Sequence, residues 1–253
     1  MKRVLACVTC GLVAAIALCA PRDASAVELG TPASKTPFRS AQHFALEFRF
    51  SPYYPQVDDD PALNGAKPFA SNFGTNAKFF IGAELDWQTL RIPHLGTIGP
   101  GLGLGYVSMS RTVSTATGRA SADETSLTIY PFWLVAVLRA DVFWRDMGFP
   151  IVPYAKVGVA AARWKAQDGG GTSKEGGKVG RGTSLGTNIA IGASLALDAL
   201  DPGASRNMDN ATGINNTYLF IEAYWLTLDT GLGDREALRV GTNTWSMGLA
   251  FEF

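Results

Sequence analysis

The chain has 253 residues, a formal net charge of zero, 47% hydrophobic residues, 17% charged residues and 28 glycines. That length allows one or two domains, and the balanced charge leaves no basic footprint for nucleic acid. Past residue 30 no stretch offers the roughly 18 consecutive apolar residues that a transmembrane helix needs.

The first elements are those of a secretory signal peptide. Lys2 and Arg3 form a positive region, residues 4–20 are mostly apolar, and Ala24-Ser25-Ala26 is an A-x-A site, so cleavage is expected after Ala26. A lipoprotein signal using Cys19 is the competing reading, but Leu18 stands where a small residue is required. Cys7, Cys10 and Cys19 all lie in the signal, so the mature chain has no cysteine and enters an oxidising compartment without disulfides. Removing Lys2, Arg3, Arg22 and Asp23 from 22 basic and 22 acidic residues leaves 19 and 21, a mature charge of −2. Residues 27–41 read as an N-terminal periplasmic segment and 42–253 as the folded body.

Eight segments then read as strands: 42–56, 77–90, 97–109, 126–142, 151–165, 184–198, 216–228 and 242–253. Their side chains alternate, as they must on two-faced strands. In HFALEFRF, Phe44, Leu46, Phe48 and Phe50 oppose Ala45, Glu47 and Arg49. In KFFIGAELDWQ, Phe79, Ile81, Leu85 and Trp87 oppose Gly82, Glu84 and Asp86. In IGPGLGLGY, Gly99, Gly101, Gly103 and Gly105 form a stripe opposite Leu102, Leu104 and Tyr106; space for packing and a small-ligand site both fit that stripe. Pro100, Pro131 and Pro153 lack ladder donors and predict bulges or strand ends. At the C-terminus, Trp245, Met247, Leu249, Phe251 and Phe253 alternate with Ser246, Gly248, Ala250 and Glu252.

The polar faces carry too much charge for a sandwich core, and the apolar faces are too continuous for water. Lipid outside and a packed polar interior satisfy both, and closure pairs every edge. Connections near 57–76, 110–125, 166–183 and 229–241 are long and polar, whereas those near 91–96 and 143–150 are short, the outer-membrane pattern. The connection near 199–216 breaks the rule and predicts a short helical turn after Asp201-Pro202. The expected fold is an all-β, eight-stranded antiparallel up-and-down transmembrane barrel. Trp87, Tyr106, Trp144, Trp164, Trp225 and Trp245 lie toward predicted strand ends, where they form interfacial girdles or pack in the ordinary way. A soluble lipocalin-like barrel, with charges outward, is the alternative fold.

The terminal run ending on Phe253 resembles the C-terminal signal of outer-membrane barrels, which the barrel-insertion machinery reads as an edge strand to be paired. SPYYPQVDDD, LRADVFWRDMGFPIVPYAKVGV, GINNTYLFIEAYW and GLAFEF resemble a family of myxobacterial-type outer-membrane β-barrel proteins over nearly the whole mature chain. More distantly the architecture is similar to the eight-stranded OmpA, OmpX and OmpW barrels. The resemblance implies a fold and the cell outer membrane, with surrounding lipid and lipopolysaccharide as partners; it implies no activity.

An eight-stranded barrel is just wide enough for side chains to fill. The predicted inward charges are Glu47, Glu84, Asp86, Asp141, Asp198, Glu222 and Glu252 with Arg49, Arg139 and Lys156. Buried charges must be paired, so Arg49 is expected to bridge Glu47 and Glu84, and Arg139, Asp141 and Lys156 to cluster. A salt-bridged plug and a cation-favouring path are the two readings of this network. His43 and His94 are the two histidines, both mapping to the periplasmic end, away from outer-leaflet chemistry. The glycine-rich 169–183 misses P-loop spacing and reads as a flexible surface loop; contact of its Lys174, Lys178 and Arg181 with lipopolysaccharide phosphates is the secondary reading. Asp58, Asp59 and Asp60 are of the type that takes a divalent cation, but no further ligand spacing accompanies them and a solvated loop is expected. No cofactor, resident metal, nucleic-acid partner or enzymatic activity is expected. The expected role is structural or loop-mediated, with a narrow channel for small or lipophilic solutes as the alternative and a lipid-modifying enzyme third.

Overall fold

A computed structural model describes residues 43–114, 120–168, 171–175, 178–231 and 238–253. The expected signal peptide and the segment 27–41 lie outside them. Eight long strands make up the fold: β1 (Phe44–Tyr53), β2 (Lys78–Trp87), β3 (Gly96–Ser114), β4 (Ala120–Arg139), β5 (Ile151–Asp168), β6 (Arg181–Ala196), β7 (Asn216–Gly231) and β8 (Thr242–Glu252). Each pairs with its sequence neighbour, and β8 returns to β1 through Ala45↔Glu252 to Phe50↔Met247. The result is a closed antiparallel barrel. Closure satisfies the backbone groups that an open sheet would leave on its edges.

Among the described residues, three α-helices lie in the connections: α1 (Pro68–Phe73) between β1 and β2, α2 (Val142–Arg145) between β4 and β5, and α3 (Pro202–Thr212) between β6 and β7. The predicted helical turn after Asp201 is α3, whose first backbone amides, on Gly203 and Ala204, donate to the Asp201 carboxylate. The β1–β2 and β7–β8 connections mark one end of the barrel, the loop end; α2 and α3 mark the other, the turn end.

The alternation sets which face is which. Large apolar residues cover the exterior: Phe79 is 70% exposed, Leu102 64% and Val159 60%. The inward positions of the same strands, among them Glu47, Glu84 and Lys156, are buried. On β5 the apolar exterior runs from Ile151 to Ala161, a length matching the roughly 9–11 residues of a tilted membrane-crossing strand. Trp87, Tyr106, Trp225 and Trp245 point outward near the two ends of this belt.

Several expectations change. The 110–125 connection is mostly ladder, with pairing continuing through Thr112↔Glu124 to Ser114↔Ala120. Ser- and Thr-rich arms extend a sheet as readily as they form a loop once a neighbour supplies the register. Pro100 pairs with Ala136 on one side, but on the other it sits where the ladder shifts register, between Asp86↔Gly101 and Leu90↔Ile98. Pro153 lies third in its strand, opposite Ala193 and just past the last β4–β5 pair, so both stand at an irregularity or a strand end as expected. Further irregularities fall at Leu185/Gly186 and Thr112/Ser114. Opposite Pro131 the β3–β4 ladder skips Gly105 and Tyr106 without changing register, a local way to omit a missing N–H. Trp164 faces the lumen, with Gly182 beneath its ring, and Trp144 packs against the buried cluster at the turn end. Neither belongs to a girdle.

Candidate functional site

The lumen is filled in three layers. The middle layer gathers Glu47 and Arg49 from β1, Glu84 and Asp86 from β2, Arg139 from β4, Lys156 from β5 and Glu222 from β7, all at most 3% exposed. Glu47 and Glu84 stand directly opposite each other in the β1–β2 ladder. Like charges so placed repel, and cations from across the barrel offset this. Lys156 Nζ lies 2.6 Å from Glu47 and 2.5 Å from Glu84. Arg49 Nη2 is 3.0 Å from both Glu47 and Glu84, and its Nη1 is 3.0 Å from Glu222. Arg139 donates to Asp86 at 2.6 Å and also to Glu47.

Neutral groups complete the layer. The Trp133 indole N–H donates to Glu84. Tyr154 and Ser246 hydroxyls donate to Glu222 at 3.1 and 2.9 Å. Arg49 lies 4.9 Å over the Trp133 ring, and Lys156 is 5.0 Å from the Tyr154 ring, both within cation–π range. Four carboxylates meet three cations, so the layer carries one acid in excess.

Three expected members stand apart from this layer. Asp141 lies beyond the end of β4 and pairs with Arg91 at 3.1 Å and Arg145 at 2.9 Å. It therefore does not cluster with Arg139 and Lys156. The chain has already left the sheet at Ala140, so strand parity no longer governs Asp141. Asp198 sits in a 3-10 turn at 197–199, where its carboxylate accepts the Thr217 amide. Glu252 is buried but lower in the barrel, accepting from Gln88 at 2.8 Å and from Asn216 and Tyr218 at 2.9 Å. It belongs to the turn-end layer of Val152, Tyr154, Tyr218, Phe220 and Ala250.

The loop-end layer is apolar: Tyr53, Phe80, Val107, Met109, Ile129 and Leu228 are among its buried members. The glycine stripe makes room for this filling. A Cβ on Gly101 would collide with the Asp86 carboxylate, one on Gly103 with the Trp133 indole and one on Gly105 with the Phe80 ring. The stripe is thus occupied by packing.

The first loop covers this layer. Asp58 accepts the Phe69 and Ala70 amides at 2.7 and 2.8 Å, holding the start of α1. Arg111 of β3 donates to the carbonyls of Ser71 and Asn72 at 2.6 and 3.2 Å, holding its end. Phe69 is buried against Tyr54 and Phe73. Asp60 accepts the Ala62 amide, so Asp58 and Asp60 both have backbone partners rather than a shared cation-facing arrangement. Between α1 and the β4–β5 wall lies a pocket of about 220 Å³ lined by Phe69, Phe73, Leu127, Ala166 and Leu238, among others.

The aromatic donors of the middle layer, Trp133 and Tyr154, escape a reading of the charged residues alone. Parity would have found them: Trp133 shares a face with Arg139, and Tyr154 with Lys156. The terminal residues Trp245, Met247 and Leu249 face outward on β8, while the Phe253 amide and carbonyl bond to Phe44 and His43. His43 and His94 lie at the turn end, where His94 is 3.9 Å from Asp146.

No family model matches the chain, and no curated protein matches it. Among solved structures it is similar to Ail, the attachment invasion locus protein of Yersinia pestis, at 10% identity over 85% of this chain and 100% of that one, TM-score 0.40. It is also similar to the N-terminal β-barrel domain of Pseudomonas aeruginosa OprF, at 12% identity over 84% of this chain and 100% of that one, TM-score 0.37. The outer membrane protein AlkL, solved in DMPC lipid bilayers, matches at 13% identity over 90% and 97% of the two chains, TM-score 0.38.

Proposed function

We propose that this protein is an integral β-barrel of the bacterial outer membrane with a structural or loop-mediated role, a lumen sealed by its own side chains, and no enzymatic activity. One observation carries this reading: a paired, buried charge layer crosses the lumen between two packed layers, while the exterior is a continuous apolar belt. In water such a belt would cost about 25 cal/mol for each Å² left exposed; in hydrocarbon it costs nothing. Charges inside and apolar residues outside are also the reverse of a lipocalin-like barrel. Lipid and lipopolysaccharide are then the surroundings, and the insertion machinery is the partner during assembly. Placement among myxobacterial-type barrels rests on the four sequence stretches quoted above.

A narrow path for small lipophilic solutes is the second reading, favoured by the apolar loop-end layer and the pocket beneath α1. Planar-bilayer recordings of the refolded mature chain separate the two. Silence at ±100 mV (roughly a membrane-scale potential) is expected; reproducible unitary steps would replace the sealed lumen with a channel. A heat-dependent mobility shift in isolated outer membranes tests the address independently.

A further inference from the structure

The outward face of β4–β6 changes character abruptly near the loop end. On β5 the exterior series Val157, Val159 and Ala161 gives way to Arg163 and Lys165. On β6, Ile191 and Ile189 give way, past Thr187, Leu185 and Thr183, to Arg181. The register sets these cations side by side: Arg181 opposes Lys165, and Arg163 opposes both Thr183 and Tyr130. Tyr130 is half-exposed and packs on Tyr106 at 5.4 Å, marking the edge of the apolar belt. The three cations thus stand at or just above the level where hydrocarbon ends.

Their arrangement is costly without a ligand. Like charges directly opposite on neighbouring strands destabilise the pair. All three residues are exposed, and among the described residues none has an ion-pair or hydrogen-bond partner. The other charge clusters behave differently: the lumenal cations each meet carboxylates, Arg91 and Arg145 share Asp141, and Arg239 faces Asp229. Among the described residues no carboxylate pairs with the opposed cations, and an anion supplied from outside the chain would relieve their repulsion.

We propose that Arg163, Lys165 and Arg181 form a binding site for the phosphate groups of a phosphorylated glycolipid in the outer leaflet. The site rests on the outer-membrane reading above, and it names the lipid partner of that barrel. A phosphate seated between Lys165 and Arg181 receives charge-assisted hydrogen bonds from both, and Arg163 meets the second phosphate or the sugar edge beside Tyr130. The acyl chains then lie along Val157, Val159, Ile189 and Ile191. Of the loop cations expected to touch such phosphates, Arg181 belongs to this site, while the side chains of Lys174 and Lys178 lie outside the described ones.

The test uses the mature chain refolded in zwitterionic phosphocholine micelles, with bisphosphorylated lipid A as probe and native mass spectrometry as readout. The R163A/K165A/R181A variant is expected to retain lipid A about tenfold more weakly than the wild type, or worse. Monophosphorylated lipid A should fall between. The variant's heat-dependent mobility shift reports that it still folds; should it not, R163Q alone serves, with a smaller loss expected. Arg91→Ala, at the turn end, should leave retention unchanged. Equal retention by wild type and triple variant would overturn the site. Equal retention of phosphatidylglycerol and lipid A would overturn the glycolipid assignment while the barrel reading stands. Fractionation away from the outer membrane would sink that reading by itself, whatever the micelle result.

Discussion

The middle and loop-end layers fill the same lumen by opposite means. The middle layer packs four carboxylates against three cations, each group held by partners on other strands. The loop-end layer packs Met109, Ile129 and Leu228 around aromatic rings, with no charge to match. Apolar packing tolerates exchange among residues of similar volume. A charge layer does not, because each group left unpaired in a low-dielectric interior carries its full desolvation cost. The charged layer therefore distinguishes correct register from a slipped one, since a one-residue slip on any strand would send its charges onto the apolar exterior. The apolar layer adds contact area and seals the loop end.

The sharpest way to break this contrast is Arg49→Ala. It strips the cation shared by Glu47, Glu84 and Glu222 and empties the face of Trp133. The urea midpoint of the refolded barrel should drop by the equivalent of about 3–5 kcal/mol. Lys67→Ala in the exposed first loop should stay within about 0.5 kcal/mol. Equal midpoints for these two would remove the charged layer from any role in stability.

Ile129→Ala probes the other layer, where Ile129 is wholly buried. A cavity there should cost about 2–4 kcal/mol in the same unfolding experiment, with the heat-dependent mobility shift retained. A loss below 0.5 kcal/mol (about the scatter of surface substitutions) would mean that this layer is loosely filled. Asp86→Asn is the smallest expected effect, about 1 kcal/mol or less. It brings the layer to three acids against three cations, and the amide oxygen still accepts from Arg139. A loss exceeding that of Ile129→Ala would show that the excess acid is needed.

The strands, their inward and outward faces and the closure of β8 on β1 were legible in the sequence, because period-two alternation is a local property. Parity and strand proximity alone place Glu47, Arg49 and Glu84 in one network, as their ion pairs bear out. Asp141 and Asp198 depart from the expected network because parity holds only while the chain stays in the ladder, and each lies just past a strand end. Trp144 and Trp164 look like girdle residues by distance from a strand end; their direction depends on the cavity beside them, above Gly182 for Trp164. Pro100 and Pro153 stand at a register shift and near a strand start, because a missing N–H is a local property that the sequence carries by itself.

By itself the sequence determined an apolar exterior, a charged interior and eight alternating strands, since those follow from side-chain order along one chain. Only the tertiary structure decided which charges meet. Lys156 reaches Glu47 and Glu84 because closure brings β5 across from β1 and β2. It likewise set Arg181 beside Lys165, a consequence of register between two strands and invisible in either strand read separately.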